Sequence, residues 1–254
     1  MRELQKIYSD LNGNALLKST IDVLTGHEFM IPINGILDFS EFLQRDNISL
    51  SDEDKKKIVK DINVGAAQLK GIAHRLHTWH DLLLGSSIYE HEFFELSSEC
   101  IKMLVFEESK KNLIPDALVV VSFDRTEYFV KGNKKKFIAA VSELIQNACK
   151  FSEINTAVSI SIKQKGKKVI LSISNFSVAA TVYELQRYRA FSRLHKRKTS
   201  QQGIGLGLAI ARLGITQCNG QLKISRGVEM NKIIMDISLY KNDLVNKKMI
   251  ANEK

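Results

Sequence analysis

The sequence predicts a helical hairpin followed by an α+β sandwich, and three features support this fold class. Apolar residues recur at alternating steps of four and three between residues 58 and 83, which is typical of a helix packed along a coiled-coil-like seam. A glycine–serine stretch at residues 85–87 ends that helix. Short strands then alternate with helices without strict βαβ repetition, which favours a sheet with helices on one face.

The composition is that of a folded protein. The chain has 254 residues, of which 44% are hydrophobic, enough for one large domain or two small ones. The three cysteines, Cys100, Cys149 and Cys218, are too few and too scattered for a disulfide framework or a metal cluster, which suits a reducing cytoplasm. No apolar run approaches the length of a membrane span, and the N-terminus lacks the pattern of a signal peptide. We therefore expect a cytoplasmic protein.

The net charge of +9 is unevenly distributed. Residues 1–90 have a balance of −3, whereas residues 91–254 have a balance of +12. A basic C-terminal part is compatible with nucleic acid, but its lysines and arginines form short clusters without interleaved aromatic residues. An anionic nucleotide or an acidic protein partner fits as well, so the charge alone does not decide the class of partner, and nucleic acid has only the charge in its favour.

The N-terminal part is predicted to form two long helices. Residues 2–46 form the first, and a polar turn at residues 46–50 precedes a capping box made by Ser51 and Asp54. The seam of the first helix comprises Phe29, Ile33, Ile36, Ser40 and Leu43. The seam of the second comprises Ile58, Ile62, Gly65, Leu69, Ile72, Leu76, Trp79 and Leu83.

Two helices of about 40 residues form a hairpin too thin to bury its own apolar stripe. We therefore expect two copies of the chain to associate into a four-helix bundle. The alternative is that the hairpin packs on its own C-terminal domain.

One histidine of the first helix has the surroundings of a nucleophile. His27 lies off the seam, on a second stripe with Ile31 and Asn34, so its imidazole should face water. The neighbouring Glu28 can take the ring proton while the other ring nitrogen attacks. Pro32 removes a backbone donor just past the histidine and is expected to loosen or kink the helix. A plain amphipathic helix with one solvated histidine is the alternative.

Three further histidines on the second helix are not expected to bind metal. His74, His77 and His80 are spaced by three residues, so they drift around the helix, and none of them lies on the seam. We interpret all three as solvated.

The C-terminal part is predicted to contain seven strands and at least three helices. The strands are expected at residues 93–96, 117–121, 128–130, 157–163, 169–174, 221–225 and 232–239, and the helices at 97–113, 133–150 and 206–217. Asn133 is the expected cap of the second of these helices. A turn at Asp124 and Arg125 separates two of the strands, and residues 164–167 form a hairpin turn.

A glycine-rich turn opens the last helix. Gly203, Gly205 and Gly207 alternate with apolar residues, and such spacing lets the backbone approach a phosphate. The following helix start supplies free N–H groups. The Lys-Ser/Thr of a P-loop is missing and no strand precedes the turn as in a dinucleotide fingerprint. A tight turn for helix–sheet packing is the alternative.

The helix after Asn133 carries a second group of functional residues. Glu143, Asn147 and Lys150 are spaced by four and three residues, which places them on one face. An acid, an amide and a base on an otherwise apolar helix suit hydrated Mg²⁺ and a polyphosphate. A solvated helix face is the alternative, weakened because other residues already supply the core face.

Together these motifs resemble the core of two-component sensor histidine kinases. The His-Glu-x-x-x-Pro stretch at residues 27–32 is similar to the H-box of that family, and Glu-x-x-x-Asn-Ala-x-Lys-Phe at residues 143–151 to its N-box. Residues 188–193 resemble the F-box that precedes a mobile ATP lid, and residues 203–208 resemble the G2 box. The boxes occur in family order and spacing, and the match covers nearly the whole chain. The resemblance implies the GHKL (Bergerat) ATPase fold for the C-terminal part.

The resemblance also implies a role for each residue. It makes His27 the phospho-acceptor and Glu28 the base that activates it. Asn147, with Glu143, would hold Mg²⁺, and Lys150 would contact the phosphates of ATP. The turn residues Gly203, Gly205, Leu206 and Gly207 would support the lid and the triphosphate.

One box departs from the family pattern. The Asp-x-Gly-x-Gly of the G1 box falls on residues 175–179, where Asn175 replaces the aspartate and both glycines are absent. The family aspartate accepts a hydrogen bond from the adenine amino group. Asn175 can accept one through its carbonyl oxygen without charge assistance, a difference of about 1 kcal/mol. The loop beside the adenine is expected to be stiffer, so the affinity for ATP is in question.

A second departure lies in the H-box. In family members that also dephosphorylate their partner, a threonine or asparagine stands four residues after the histidine and orients the attacking water. Here that position is Ile31, which has no donor or acceptor. The resemblance therefore implies a poor phosphatase.

The sequence thus predicts a dimeric, ATP- and Mg²⁺-dependent histidine kinase that passes the phosphoryl group to a response-regulator receiver domain. The predicted domains are a dimerisation and phosphotransfer hairpin at residues 1–86, a linker at 87–92, an ATP-binding domain at 93–240 and a frayed basic tail at 241–254. The alternative is a scaffold or phosphotransfer module that keeps the shape but is catalytically weak or inactive.

Overall fold

The computed structural model describes residues 27–45, 50–84, 93–111, 118–178, 180–191 and 204–241. Their contacts divide the chain into two compact units, each described here by itself. The first contains the described residues up to His80 together with Phe191 and residues 204–206, and the second contains the others. The predicted domain limits at 86, 92 and 241 fall in or beside residues outside the described ranges and stay predictions.

The first unit is built from two helices, α1 (His27–Leu43) and α2 (Asp52–Leu84). The predicted residues 2–26 of the first helix lie outside the described residues. Ser51 begins α2 as expected, because its hydroxyl accepts a hydrogen bond from Asp54 N at 3.1 Å. The Asp54 carboxylate accepts from the Ser51 hydroxyl at 2.6 Å, which ties the two side chains of the cap together.

Both predicted seams point inward. On α1 the seam residues from Phe29 to Leu43 are half-buried, whereas Asn34, Asp38 and Glu41 on the other stripe are exposed. On α2 Ile58, Ile72 and Trp79 are buried and the other seam residues are buried or half-buried. The helix α1 remains helical through Pro32.

The two helices of this unit approach closely at one glycine. A Cβ atom on Gly65 of α2 would lie 3.1 Å from Ile36 Cγ1 and 3.3 Å from the Pro32 carbonyl oxygen of α1. A larger residue at Gly65 would push the helices apart, so the glycine fixes their separation. The contact confirms that α1 and α2 form the expected hairpin.

The second unit contains two sheets and four helices among the described residues. The strands are β1 (Phe93–Ser97), β2 (Val119–Phe123), β3 (Glu127–Lys131), β4 (Val158–Lys165), β5 (Lys168–Phe176), β6 (Gln221–Arg226) and β7 (Lys232–Tyr240). The helices are α3 (Ser98–Lys111), α4 (Lys134–Lys150), α5 (Val182–Gln186) and α6 (Gly207–Gln217). None of the helices in the described ranges is long and apolar enough to cross a bilayer.

The larger sheet has the order β2-β4-β5-β7-β6, with β2 parallel to β4 and the other pairs antiparallel. Alternate residues of β7 are buried, from Ile233 to Leu239, so one face of the sheet packs against the helices. The core includes Phe137, Leu144 and Ile145 of α4, none of which is exposed. This arrangement agrees with the predicted sandwich.

One strand begins later than predicted, and the strands form two sheets where one was expected. The turn at Asp124 and Arg125 does separate two strands, but β2 begins at Val119, two residues later than predicted, and the two strands join different sheets. Strand β2 pairs with β4, and β3 forms a two-stranded antiparallel sheet with β1. The Asp124 carboxylate accepts hydrogen bonds from Tyr128 Oη and from Gln164 N of β4. These bonds attach the turn to β4, and the two strands beside the turn do not pair with each other as the strands of a hairpin would.

Candidate nucleotide and phosphoacceptor site

The helix α4 presents the predicted functional face. Asn133 begins this helix, since its side-chain oxygen accepts a hydrogen bond from Lys136 N at 3.1 Å. Leu144, Ile145 and Ala148 are buried in the core, as expected. Glu143, Asn147 and Lys150 are half-buried on the other side and remain accessible to a ligand.

The glycine-rich turn meets that face. A Cβ atom on Gly207 would lie 2.7 Å from Glu143 Oε2 and 3.2 Å from Asn147 Nδ2. The backbone at the start of α6 can therefore reach the acid–amide pair only because residue 207 has no side chain. Residues about 60 positions apart in sequence are thereby brought to one place, where a carboxylate, an amide and a helix start adjoin.

The turn itself has an unusual backbone. Gly205 has φ of +71°, a left-handed conformation that favours glycine. Its carbonyl oxygen accepts a hydrogen bond from Phe191 N at 2.9 Å, and Ile204 and Leu206 on either side are buried. Gly203 lies outside the described residues, so its predicted role stays a prediction. Phe191, one of the two aromatic residues of the F-box-like stretch, stands edge-on to Trp79 with ring centroids 6.5 Å apart.

The first residue of the altered G1 box lies inside the larger sheet. Asn175 is the penultimate residue of β5, pairs with Ile233 of β7, and is 3% exposed. Ser177, two residues further on and just past the end of β5, is also buried, and its N–H donates to the Asn231 carbonyl at 2.9 Å. An amide replaces the family carboxylate at a buried position, where ionisation would carry a desolvation cost.

Burial and a neighbouring negative charge prevent Cys149 of α4 from acting as a nucleophile. Burial and the negative charge of Glu108 raise the pKa of Cys149 to about 11. The thiol is therefore protonated at neutral pH and inert. Lys150 ends the helix with its ammonium group 5.4 Å from the ring centroid of Phe151, which keeps a cation at the end of the functional face.

The residues present fit a magnesium–phosphate ligand. Mg²⁺ in such sites is commonly held by one or two protein groups and by substrate phosphates rather than by a full protein cage. Glu143 and Asn147 supply one carboxylate and one amide oxygen. The described ranges contain no cluster of three or more His, Cys, Asp or Glu side chains that would form a cage by themselves.

The predicted phosphoacceptor is placed by its backbone only. His27 and Glu28 are the first two residues of α1, and their side chains lie outside the description. Ile31, one turn further on, is 47% exposed, so the helix at Pro32 does not turn this residue inward. His74, His77 and His80 are half-way along or near the end of α2, and all three are exposed, as predicted.

Sequence reasoning missed Arg212, the only charged residue of α6. Its side chain donates to main-chain carbonyls of the segment that leads to the F-box-like stretch. A single arginine in an otherwise apolar helix was the signal that could have identified it.

Part of the chain matches a known protein family. Residues 132–239 match the family of histidine kinase-, DNA gyrase B- and HSP90-like ATPases. The chain is 24% identical over 213 residues to the heme sensor protein HssS of Staphylococcus aureus strains JH9 and Newman. The alignment covers 80% of this chain and 43% of HssS, so the chain spans less than half the length of these curated relatives.

Two solved structures share the fold. The histidine kinase AdeS of Acinetobacter baumannii has a TM-score of 0.58 at 18% identity, covering 86% of this chain and 99% of AdeS. Full-length ShkA in complex with AMPPNP has a TM-score of 0.58 at 16% identity, covering 85% of this chain and 45% of ShkA. The second unit therefore has the GHKL ATPase fold. The predicted resemblance to a sensor histidine kinase core is confirmed, and residues 132–239 match the ATPase family named above.

Proposed function

We propose that this protein is an ATP-dependent histidine autokinase that transfers the γ-phosphoryl group to His27. The observation that carries the proposal is the close approach of Gly207 to Glu143 and Asn147, because it assembles the N-box-like and G2-like motifs into one site. An ATPase domain of this family supplies the nucleotide site. The helix α1 supplies a histidine followed by a glutamate.

In this proposal each residue predicted to bind the nucleotide has a separate task. Glu143 and Asn147 would hold Mg²⁺, which when bound neutralises charge on the terminal phosphates. Lys150 would contact a phosphate oxygen, and the backbone of Gly203, Gly205, Leu206 and Gly207 would line the triphosphate. Asn175 would accept a hydrogen bond from the adenine amino group through its carbonyl oxygen.

The first unit would supply the acceptor. A ring nitrogen of His27 attacks the γ-phosphorus, the bond from that phosphorus to the β–γ bridging oxygen breaks, and ADP leaves. Glu28 takes the proton from the other ring nitrogen, which keeps the imidazole nucleophilic. The phosphoryl group would then pass to an aspartate on the receiver domain of a response regulator.

The hairpin would act as a homodimer. Leu37, Val59 and Val64 are between 47% and 54% exposed on α1 and α2, so a single hairpin leaves apolar surface in water. A second hairpin packed on the first would cover such surface in a four-helix bundle. Sedimentation equilibrium would test this part, and a monomer at micromolar concentration would contradict it.

The central experiment is incubation with γ-labelled ATP and Mg²⁺. We expect label that is labile to acid and stable to alkali, as a phosphohistidine is, and no label on a His27→Ala variant. The variant should keep its oligomeric state, because a side chain off the seam contributes little to packing. His77→Ala, which removes another exposed histidine, is the matched control and should be labelled like the wild type.

Two results would contradict the proposal. Undiminished labelling of His27→Ala would show that another residue is the phospho-acceptor. Absence of any heat or thermal stabilisation with millimolar ATP and Mg²⁺ would favour the inactive scaffold instead.

A further inference from the structure

Arg212 makes three hydrogen bonds to the main chain of a neighbouring segment. Its Nη1 donates to the Tyr188 carbonyl at 3.0 Å, and its Nη2 donates to the carbonyls of Leu185 at 2.5 Å and Gln186 at 2.9 Å. The guanidinium is planar and carries five N–H donors, so it can serve several carbonyls at once. An ammonium group is a point charge that cannot reproduce this fork.

The three carbonyls belong to the C-terminal end of α5 and the residues that follow it. This helix has five residues, and its last carbonyls already accept hydrogen bonds from the backbone N–H groups of the next two residues. Its N-terminus is closed by the capping box of Thr181 and Glu184, and Gln186 Nε2 donates to the Ile224 carbonyl of β6 at 2.9 Å. Arg212 therefore adds side-chain donors from another helix to the C-terminal end of α5.

The helix α6 thus supports two parts of the nucleotide site. Its first residue, Gly207, adjoins Glu143 and Asn147, and five residues later Arg212 holds the chain at Leu185–Tyr188. Tyr188 is the first residue of the F-box-like stretch. A rigid helix that binds both segments fixes the distance between them.

We propose that Arg212 is a positioning residue for nucleotide binding, which sets the Leu185–Tyr188 segment against the Glu143–Asn147 pair without touching the nucleotide. This inference rests on the proposed function. The inference goes beyond that function because no box of the motif pattern contains Arg212. It assigns the affinity for ATP partly to a side chain that donates to the main-chain carbonyls of a neighbouring segment.

The test uses the full chain with three variants: Arg212→Ala, Arg212→Lys and, as a control, Arg226→Ala at the exposed end of β6. The KM for ATP and the maximal labelling rate are measured at fixed Mg²⁺, together with the melting temperature without nucleotide. We expect Arg212→Ala to raise KM roughly tenfold, as loss of charge-assisted hydrogen bonds would. The maximal rate should stay within about twofold.

The lysine variant separates positioning from simple support of the fold. Arg212→Lys should melt like the wild type and still raise KM by a few-fold, since it keeps the charge and loses the fork. An unchanged KM in a folded Arg212→Lys or Arg212→Ala protein would overturn the inference, as would an equal rise in Arg226→Ala. If Arg212→Ala fails to fold, the KM of the lysine variant decides.

The outcome for Arg212 can be separated from the outcome for the kinase. If the wild type takes up no label, the proposed function fails, and calorimetric titration with ATP and Mg²⁺ still compares the affinities of the variants. If the wild type is labelled and all variants have the same KM for ATP, the proposed kinase activity is supported and the inference about Arg212 fails.

Discussion

The helical hairpin and the sheet unit bury their apolar residues to different degrees. In the sheet unit Ile160, Ile173 and Ile237 are at most 1% exposed, and the helices cover one face of the larger sheet. In the hairpin most seam residues of α1 are only half-buried, and Leu37 on the same helix is 54% exposed. The sheet unit therefore closes its own core, whereas two helices do not enclose one.

This difference indicates where substitutions should act. A change inside the sheet unit should alter its stability or its nucleotide affinity without any partner. A change in the hairpin should be seen in association and phosphotransfer. Five predictions test this contrast, beginning with the largest expected effect.

Asn147→Ala should abolish Mg²⁺-dependent ATP binding. The substitution removes the amide beside Gly207, so that only Glu143 of the two proposed Mg²⁺ ligands would remain. Calorimetric titration with ATP and Mg²⁺ is the measurement. The hairpin should still accept phosphate back from a phosphorylated regulator, because that step does not use the sheet unit.

The control for this variant is Gln146→Ala, which changes the neighbouring half-buried amide of α4. We expect it to bind ATP more tightly than Asn147→Ala does. Wild-type affinity in Asn147→Ala would show that the N-box assignment is wrong.

Gly214→Ala should destabilise the sheet unit by about 1–3 kcal/mol. The new Cβ would lie 2.9 Å from the Lys136 carbonyl oxygen and 3.1 Å from Ala140 Cβ, so α6 has to move away from α4. Urea denaturation followed by circular dichroism measures the loss. A variant as stable as the wild type would show that the packing of α4 and α6 is looser than the contact implies.

The same substitution in the hairpin sharpens the contrast. Gly65→Ala should cost less than Gly214→Ala, because its Cβ meets the movable Ile36 side chain at 3.1 Å and the Pro32 oxygen only at 3.3 Å. Gly71→Ala is the matched control on α2, with nothing within 4 Å, and should stabilise the helix by about 0.5–1 kcal/mol. A larger loss in Gly65→Ala than in Gly214→Ala would reverse the comparison.

Asn175→Asp should tighten ATP binding several-fold, equivalent to about 1 kcal/mol for a charge-assisted hydrogen bond. The position is 3% exposed, so the gain competes with the cost of burying a charge. Titration of the variant against Asn219→Asp, the same change in the turn after α6, measures the difference. Weaker binding by Asn175→Asp would mean that the pocket is built around the amide.

The smallest effect is expected from Ile31→Thr. Ile31 is exposed and one helical turn from His27, and an isoleucine has no group that holds a water. The wild type should therefore leave the decay of a phosphorylated regulator almost unchanged, and the threonine variant should speed it modestly. Ile31→Val is the control without a hydroxyl. Fast decay with the wild type would contradict the prediction, while labelling of His27 should be the same in all three proteins.

Much of the local structure could be predicted from the sequence because it depends on neighbouring residues. The four-three periodicity predicts the buried stripe of α2, since side chains three and four apart share a face of a helix. Ser51 and Asn133 predict where α2 and α4 begin, because their side chains satisfy free N–H groups of the first turn. Gly166 predicts the turn between β4 and β5, where φ is +59°.

Other features were decided only by the tertiary structure. The partners of β2 and β3 follow from pairing with strands far along the chain, so no local pattern could predict that they join different sheets. The contact of Gly207 with Glu143 and Asn147 requires the packing of α6 on α4. Arg212 gained its partners in the same way: its charge is visible in the sequence, but the carbonyls that it binds are defined only when α5 and α6 lie side by side.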